Sequence, residues 1–151
     1  MAAALSCCYR QVMRIGAHDL HRFTNGQCHA LAVMLHRRTG MRILGALSDQ
    51  RTLWHVFVRA GDGRALDISG AHHWPAFVSG WSPWGDPGIV TLSEAQVLAL
   101  PRTHRWKIPD LQAADALVDA VLGYLDGQPA MQIPGWHPPE GWRPRVAVVS
   151  R

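Results

Sequence analysis

Lysine is almost missing from this sequence, and long basic runs are missing altogether. Lys107 is the only lysine among the 15 basic residues, so the net charge of +4 comes almost entirely from arginine. The arginines are scattered along the chain and form no strip interleaved with aromatic side chains. Nucleic-acid-binding proteins concentrate positive charge on one face or along one helix. We therefore interpret these arginines as solvated surface groups and expect no nucleic-acid partner.

Cysteine is scarce too, and three cysteines do not suggest a disulfide framework. Cys7 and Cys8 are adjacent, and adjacent cysteines seldom bridge each other without strain. They fit small apolar positions on an N-terminal helix, and this cysteine usage is typical of a reducing compartment. Cys28 is left as the one cysteine in a distinctive local setting.

The sequence also lacks a long hydrophobic run. Residues 1–8 are mostly apolar, but no basic residue precedes them and Tyr9-Arg10-Gln11 follows, so they make a poor secretory signal. Nothing approaches the ~18 apolar residues that a membrane span needs. We predict a cytoplasmic protein without membrane association, and delivery by a route that needs no cleaved signal stays open.

The composition is that of a folded globular chain, since 48% of the residues are hydrophobic and only 17% are charged. One domain is expected over residues 1–151. Helical spacing of apolar residues predicts helices at residues 3–15, 27–38, 94–100 and 111–125. Apolar and β-branched runs predict strands at residues 41–47, 53–60, 64–69 and 146–149. This order predicts the α+β class, with a small antiparallel sheet and further helices toward the C-terminus.

Capping residues support these helices. The expected N-caps are Thr24 or Asn25 for the second helix, Thr91 or Ser93 for the third, and Asp110 for the fourth; Ser93 and Gln96 have the spacing of a capping box. The expected helix ends are Gly16, Gly40, Pro101 and Gly127. Within the one domain we expect a core over about residues 24–70, a Trp/Gly/Pro-rich loop over about 71–90, and a C-terminal helix and tail over about 91–151.

Cys28 opens the second predicted helix, directly after Asn25, Gly26 and Gln27. The unpaired N–H groups and the dipole at a helix start favour a thiolate, which is the reactive form of cysteine. The same amide groups suit the oxyanion of a tetrahedral intermediate, with Gln27 and Asn25 as supporting residues. Gly26 would let a substrate carbonyl approach closely. The alternative for Cys28 is a buried core cysteine.

His55 interrupts an apolar strand, and Asp67 lies in the strand that returns from it. A three-residue loop over residues 61–63 would place His55 opposite Ser69 and Asp67 opposite Phe57. His55 and Asp67 would then be diagonal neighbours on one sheet face, about 7–8 Å apart at the backbone. A two-residue turn would instead send Asp67 to the opposite face. The alternative for His55 is a satisfied core histidine.

The order Cys28, His55, Asp67 in these settings resembles the papain-like cysteine hydrolase superfamily in its wide sense, in particular its compact transglutaminase-like and acyltransferase-like branch. The resemblance covers about residues 24–70. It implies a papain-like core in which a nucleophile-bearing helix packs on a small antiparallel sheet. It also implies that Cys28 is the nucleophile, His55 the general base and acid, and Asp67 the orienting residue. Arg22 stands where papain has an oxyanion glutamine, and Gln27 is the nearest glutamine.

Other residues offer competing or supplementary roles. Nine histidines invite a metal interpretation, but the sequence contains neither CxxC nor HExxH, so we expect no metal and no cofactor. Four tryptophans are candidate substrate-binding residues near the site, namely Trp54, Trp74, Trp81 and Trp84. For the last three the alternative is a surface loop pinned by its own side chains.

The function predicted from these residues is a cysteine-dependent hydrolase or acyl transferase that acts on an amide bond through a thioester intermediate. Proteases, deamidases and transamidases share this chemistry, and a protein or peptide is the expected substrate. The alternative is a catalytically silent protein-binding module on the same fold. The sequence does not indicate an oligomeric state.

Overall fold

The structure is a computed structural model that describes residues 14–47, 52–73, 88–127 and 147–148. Its helices are α1 (Ala17–Thr24), α2 (Cys28–Thr39), α3 (Glu94–Thr103) and α4 (Leu111–Gly123), and a 3-10 turn (Tyr124–Asp126) follows α4. Its strands are β1 (Arg42–Leu47), β2 (Thr52–Arg59), β3 (Ala65–Asp67), β4 (Gly70–His72), β5 (Gly88–Leu92) and β6 (Ala147–Val148). The predicted α+β class is confirmed.

The strands of the described residues form one antiparallel sheet in the order β4-β3-β2-β1-β5. The short strand β6 pairs with the start of β2 through Thr52 and Leu53. Strand β3 pairs with the other end of β2, through Val58 and Arg59. Strand β2 is therefore central and holds both His55 and the start of the hairpin that leads to Asp67.

Helix α2 is the buried helix of the fold, and it packs against both β2 and α4. Its buried residues include Leu31 and Leu35, and both side chains are at most 1% exposed. Burying a leucine side chain stabilises a fold by about 1.5–3 kcal/mol. Because α2 is covered on several sides, its first residue, Cys28, is held rigidly beside the sheet.

The ends of α2 match the prediction at one terminus only. Gly40 closes the helix in the left-handed conformation, with φ +74°, as predicted. The N-cap is Gln27, so the predicted cap at Thr24 or Asn25 is wrong. Those two residues end α1 instead, and the Asn25 amide donates a hydrogen bond to the carbonyl of His21. Helix α1 was not predicted, because Leu20 and Phe23 are the only large apolar residues in this short segment.

The C-terminal helices follow their caps. Ser93 and Gln96 form the predicted capping box of α3, and the Asp110 side chain accepts a hydrogen bond from the N–H of Ala113 at the start of α4. The prediction that Pro101 ends α3 is wrong, because α3 continues through it to Thr103. The helix predicted at residues 3–15 lies almost entirely outside the described residues, and residues 14–16 are not helical.

The β2–β3 hairpin has the predicted three-residue loop. Val58 pairs with Leu66 and Arg59 with Ala65, so the register that the loop over residues 61–63 requires is confirmed. The returning strand ends earlier than predicted, at Asp67, and a turn at residues 68–69 leads into β4. The Asp67 carboxylate accepts the backbone N–H of Ser69, and such a side-chain bond favours a turn over a continuing strand. Strands β4 and β5 lie in sequence where we expected loop.

Candidate active site

Cys28 is the first residue of α2, and only 5% of it is exposed. Backbone N–H groups in the first turn of a helix have no acceptor within the helix. Together with the helix dipole they favour a negative charge at this position. The local setting that the sequence predicted for Cys28 is therefore present, although Gln27 and not Asn25 is the cap.

His55 lies in the middle of β2 and is only 1% exposed. Its Nε2 atom is 2.8 Å from Oδ2 of Asp67, so the predicted contact between these side chains is present. Its ring also stacks on Phe57, two residues along the strand and hence on the same sheet face, with 6.0 Å between ring centroids. These two contacts leave little freedom for the imidazole to rotate.

The Asp67 carboxylate is buried but has hydrogen-bond donors on both oxygens. Oδ2 faces His55, and Oδ1 accepts both the backbone N–H and the hydroxyl of Ser69. Burial alone would raise the pKa of Asp67, but the hydrogen bonds and charges of His55 and His72 hold it far below its ordinary value. The ionised carboxylate can only accept, so Nε2 of His55 must be the donor. The remaining ring nitrogen, Nδ1, is left for the thiol.

Cys28 and His55 form a coupled pair. Burial would raise the pKa of the Cys28 thiol, but the charge of His55 and hydrogen bonding with His29 and His55 lower it to about 6. Burial would lower the pKa of His55, but the charge of Cys28 and the bond to Asp67 raise it to about 10. Between these two pH values the pair is a thiolate facing an imidazolium, and both values belong to the pair. This is the reactive state of a thiol nucleophile.

A second histidine, His29, lies beside the thiol and was not predicted as a site residue. His29 is fully buried, and its Nε2 donates to the Lys107 carbonyl at 2.9 Å. Its ring meets the edge of Trp106, with 5.1 Å between centroids. Its proximity contributes to the lowered pKa of the Cys28 thiol. Adjacency to Cys28 is the one sequence signal, and successive residues of a helix usually point in different directions.

The supporting residues predicted before Cys28 face the connecting segment, which we define as residues 104–110 between α3 and α4. The Gln27 amide donates to the Ile108 carbonyl at 3.0 Å and accepts from the Asp110 N–H at 2.9 Å. Gly26 has φ +119°, and a Cβ there would lie 3.3 Å from the Lys107 side chain. Asn25 bonds to His21. Gln27 and Gly26 thus hold or accommodate the connecting segment beside the nucleophile.

Of the four candidate tryptophans, the structure describes Trp54 only. Trp54 is half-buried and lies beside His55 on β2, at the bulge where Ala46 pairs with His55 and Leu47 with Leu53. Its buried Nε1 atom has no hydrogen-bond partner among the residues that the structure describes. Trp74, Trp81 and Trp84 lie outside those residues. A substrate-binding role for the four tryptophans stays a prediction.

Among the described residues, no group of three or more His, Cys, Asp or Glu side chains is placed to hold a metal ion. The described helices include none with the length and apolar character needed to cross a bilayer.

Comparisons of this chain with protein-family models, with curated proteins and with solved structures find no match. The resemblance to papain-like enzymes thus depends on the residues and their geometry alone. His55 contacts both the Cys28 thiol and the Asp67 carboxylate, and all three residues are buried. A function can be argued from such a site more safely than from a fold.

Proposed function

We propose that this chain is a cysteine-dependent hydrolase or acyl transferase acting on an amide bond. The observation that carries the proposal is that the buried His55 contacts both the Cys28 thiol and the Asp67 carboxylate. A nucleophile, a base beside it and a group that orients the base are the three parts of such a site. The packing of α2 on an antiparallel sheet supports the further proposal of a papain-like core.

In the acylation step the Cys28 thiolate attacks the carbonyl carbon of the amide, and a carbon–sulfur bond forms as the carbonyl π electrons move to oxygen. The backbone N–H of Cys28 is the proposed donor to this oxyanion. When the oxyanion collapses, the carbon–nitrogen bond breaks. The leaving nitrogen takes the proton from Nδ1 of His55, and a thioester on Cys28 remains.

In the deacylation step the neutral His55 accepts a proton from water or from an acceptor amine as that nucleophile attacks the thioester. The second tetrahedral intermediate collapses, the carbon–sulfur bond breaks, and the thiolate–imidazolium pair is restored. Asp67 stays ionised throughout and stabilises the charged His55 whenever it forms. Peptide cleavage, side-chain deamidation and transamidation use these same steps and differ in the leaving and accepting groups.

Iodoacetamide labelling at pH 6.5, read by peptide mass spectrometry, tests this proposal. A thiolate is alkylated and a thiol is not, so Cys28 should react at least about tenfold faster than Cys7 and Cys8. The preference should disappear in His55→Ala and persist in His73→Ala, which changes an exposed histidine. Slow reaction of all three cysteines at the same rate in the native chain would contradict the proposal.

A catalytically silent protein-binding module on the same fold is the second candidate, and the burial of Cys28 favours it, since only 5% of the residue is exposed. A panel of activated acyl esters separates the two candidates. An enzyme should give Cys28 carrying the acyl group, which intact-mass measurement detects, and Cys28→Ala should abolish that adduct. A chain whose Cys28 reacts with iodoacetamide but never with any ester would support the binding module.

A further inference from the structure

The Asp67 carboxylate faces a second imidazole besides His55. Nε2 of His72 lies 3.4 Å from Oδ1 of Asp67, and it lies 2.8 Å from Oγ of Ser69. The Ser69 hydroxyl itself donates to the same Oδ1 atom. His72 and Ser69 therefore occupy one side of the carboxylate while His55 occupies the other.

The directions of these hydrogen bonds follow from the number of protons. Ser69 has one hydroxyl proton, and that proton is donated to the ionised Asp67. The Ser69 oxygen must then accept from His72, so Nε2 of His72 carries a proton. Two donors in series, His72 to Ser69 and Ser69 to Asp67, hold Oδ1 in place.

The fold places this pair between the buried site and the surface. Ser69 lies in the turn after β3, and His72 ends β4. The His72 side chain is 33% exposed, whereas the Asp67 side chain is 6% exposed. The turn makes one further contact, in which the Tyr124 hydroxyl donates a hydrogen bond to the carbonyl of Ile68 at 3.2 Å.

We propose that His72, acting through Ser69, is a positioning residue for the Cys28–His55–Asp67 site. The inference rests on the proposed function for its catalytic consequence. The terminal torsion of an aspartate has a broad energy well. Without His72 the Oδ1 atom keeps its two bonds from Ser69, but the Ser69 hydroxyl loses the donor that fixes its direction. By fixing Oδ1, His72 and Ser69 keep Oδ2 directed at Nε2 of His55. The positioning proposed here acts through the hydrogen-bond donor on His72.

The first test is a spectroscopic reading of the His55–Asp67 bond in the full chain labelled with ¹⁵N. The Nε2 proton of His55 is assigned as the downfield imidazole signal that His55→Ala removes. His72→Leu should shift this signal upfield and speed its exchange with water. His72→Gln keeps a donor in reach of Ser69 and should retain the signal, as should His73→Leu, the matched change at the exposed neighbour.

The second test is the rate of Cys28 alkylation in the same variants. His72→Leu should slow alkylation at pH 6.5 by about fivefold, the effect of losing one hydrogen bond, and His72→Gln should restore it to within about twofold. An unchanged His55 proton in His72→Leu would overturn the inference. So would equal losses in the Gln and Leu variants, which would indicate a structural or charge effect.

The two tests distinguish a failure of the positioning inference from a failure of the proposed function. If Cys28 is slow in every variant while the His55 proton responds as expected, the proposed enzyme is wrong and the positioning of the carboxylate stands. If Cys28 is alkylated fast in a His55-dependent way, but the His55 proton signal is unchanged in His72→Leu, the proposed function is supported and the positioning inference is wrong.

Discussion

The two sides of the candidate site are held together by different kinds of contact. On the Asp67 side the bonds join residues 2, 3 and 12 positions apart, all within the hairpin and its following turn. On the Cys28 side the bonds run from the first turn of α2 to the connecting segment, between residues 78 to 83 positions apart. One side is local and the other depends on the whole fold.

This difference indicates which substitutions should affect the chemistry of the site and which should affect the stability of the fold. The hairpin brings His55 and Asp67 together by its own register, so a change there should alter the electrostatics of the site and leave the fold largely in place. The connecting segment holds the start of α2 by contacts that form only when α3 and α4 have docked. A change there should weaken folding first.

The largest effect is expected for Asp67→Asn, which breaks the local side. An amide cannot stabilise the His55 imidazolium, and its N–H₂ group can hold the ring in the wrong tautomer, so turnover should fall about 10²–10⁴-fold. Steady-state kinetics on an acyl substrate, with Cys28 alkylation in parallel, measure the loss. Asp62→Asn changes an exposed carboxylate in the loop of the same hairpin and is the control. Equal kinetics in both variants would remove Asp67 from the site.

The next effect is expected for Gln27→Ala, which breaks the distant side. The change removes the two hydrogen bonds to the Ile108 carbonyl and the Asp110 N–H, which are partly buried, and each such bond contributes about 0.5–1.5 kcal/mol. We expect the free energy of unfolding in urea to fall by about 1–3 kcal/mol. Gln112→Ala, at an exposed position of α4, should change it by less than about 0.5 kcal/mol. Similar losses in the two variants would show that the connecting segment is held by other contacts.

The pH dependence compares the two sides directly, since His55 belongs to the hairpin and His29 to the start of α2. The thiol pKa is lowered to about 6, so alkylation should fall about tenfold for each pH unit below that value and level off above it. The His55 pKa is raised to about 10, so turnover should fall as the pH rises past it. Turnover needs both the thiolate and the protonated His55, so its pH profile should be bell-shaped.

Variants of the two histidines make this profile diagnostic. His55→Ala removes the larger opposing charge, so the rising limb should move to higher pH. His29→Phe keeps an aromatic ring against Trp106 and should move the same limb in the same direction by a smaller amount. A larger shift in His29→Phe than in His55→Ala would reverse our assignment of the base.

The contact between His55 and Asp67 could be predicted from the sequence, because it depends only on residues of one hairpin. The loop over residues 61–63 sets the pairing of β2 with β3, and that pairing alone puts Asp67 on the face of His55. The caps Ser93 and Asp110 and the stop at Gly40 were also predictable, since each acts on backbone groups a few residues away.

The distant side was not predictable in this way. Nothing in the residues around Gln27 indicates that its amide is held by Ile108 and Asp110, because that contact exists only after the helices pack. The predicted oxyanion role for Gln27 was argued from its position beside Cys28. Helix α1 was missed because Leu20 and Phe23 are the only large apolar residues of a short segment, and the turn after Asp67 because a side-chain bond ends the strand.

The smallest effect is expected at Gly26, where the start of α2 meets Lys107. Gly26→Ala and Gly40→Ala both place a side chain in a left-handed region, at φ +119° and +74°, and each should cost about 1–2 kcal/mol. A Cβ at Gly40 meets nothing within 4 Å, whereas one at Gly26 lies 3.3 Å from the Lys107 side chain. The coupling energy between Gly26→Ala and Lys107→Ala in urea unfolding measures this contact separately from the backbone strain, which differs between the two φ values. Since the lysine stem can move aside, we expect this coupling energy to be under about 0.5 kcal/mol. A coupling energy above about 2 kcal/mol would mean that the Lys107 side chain is fixed over Gly26.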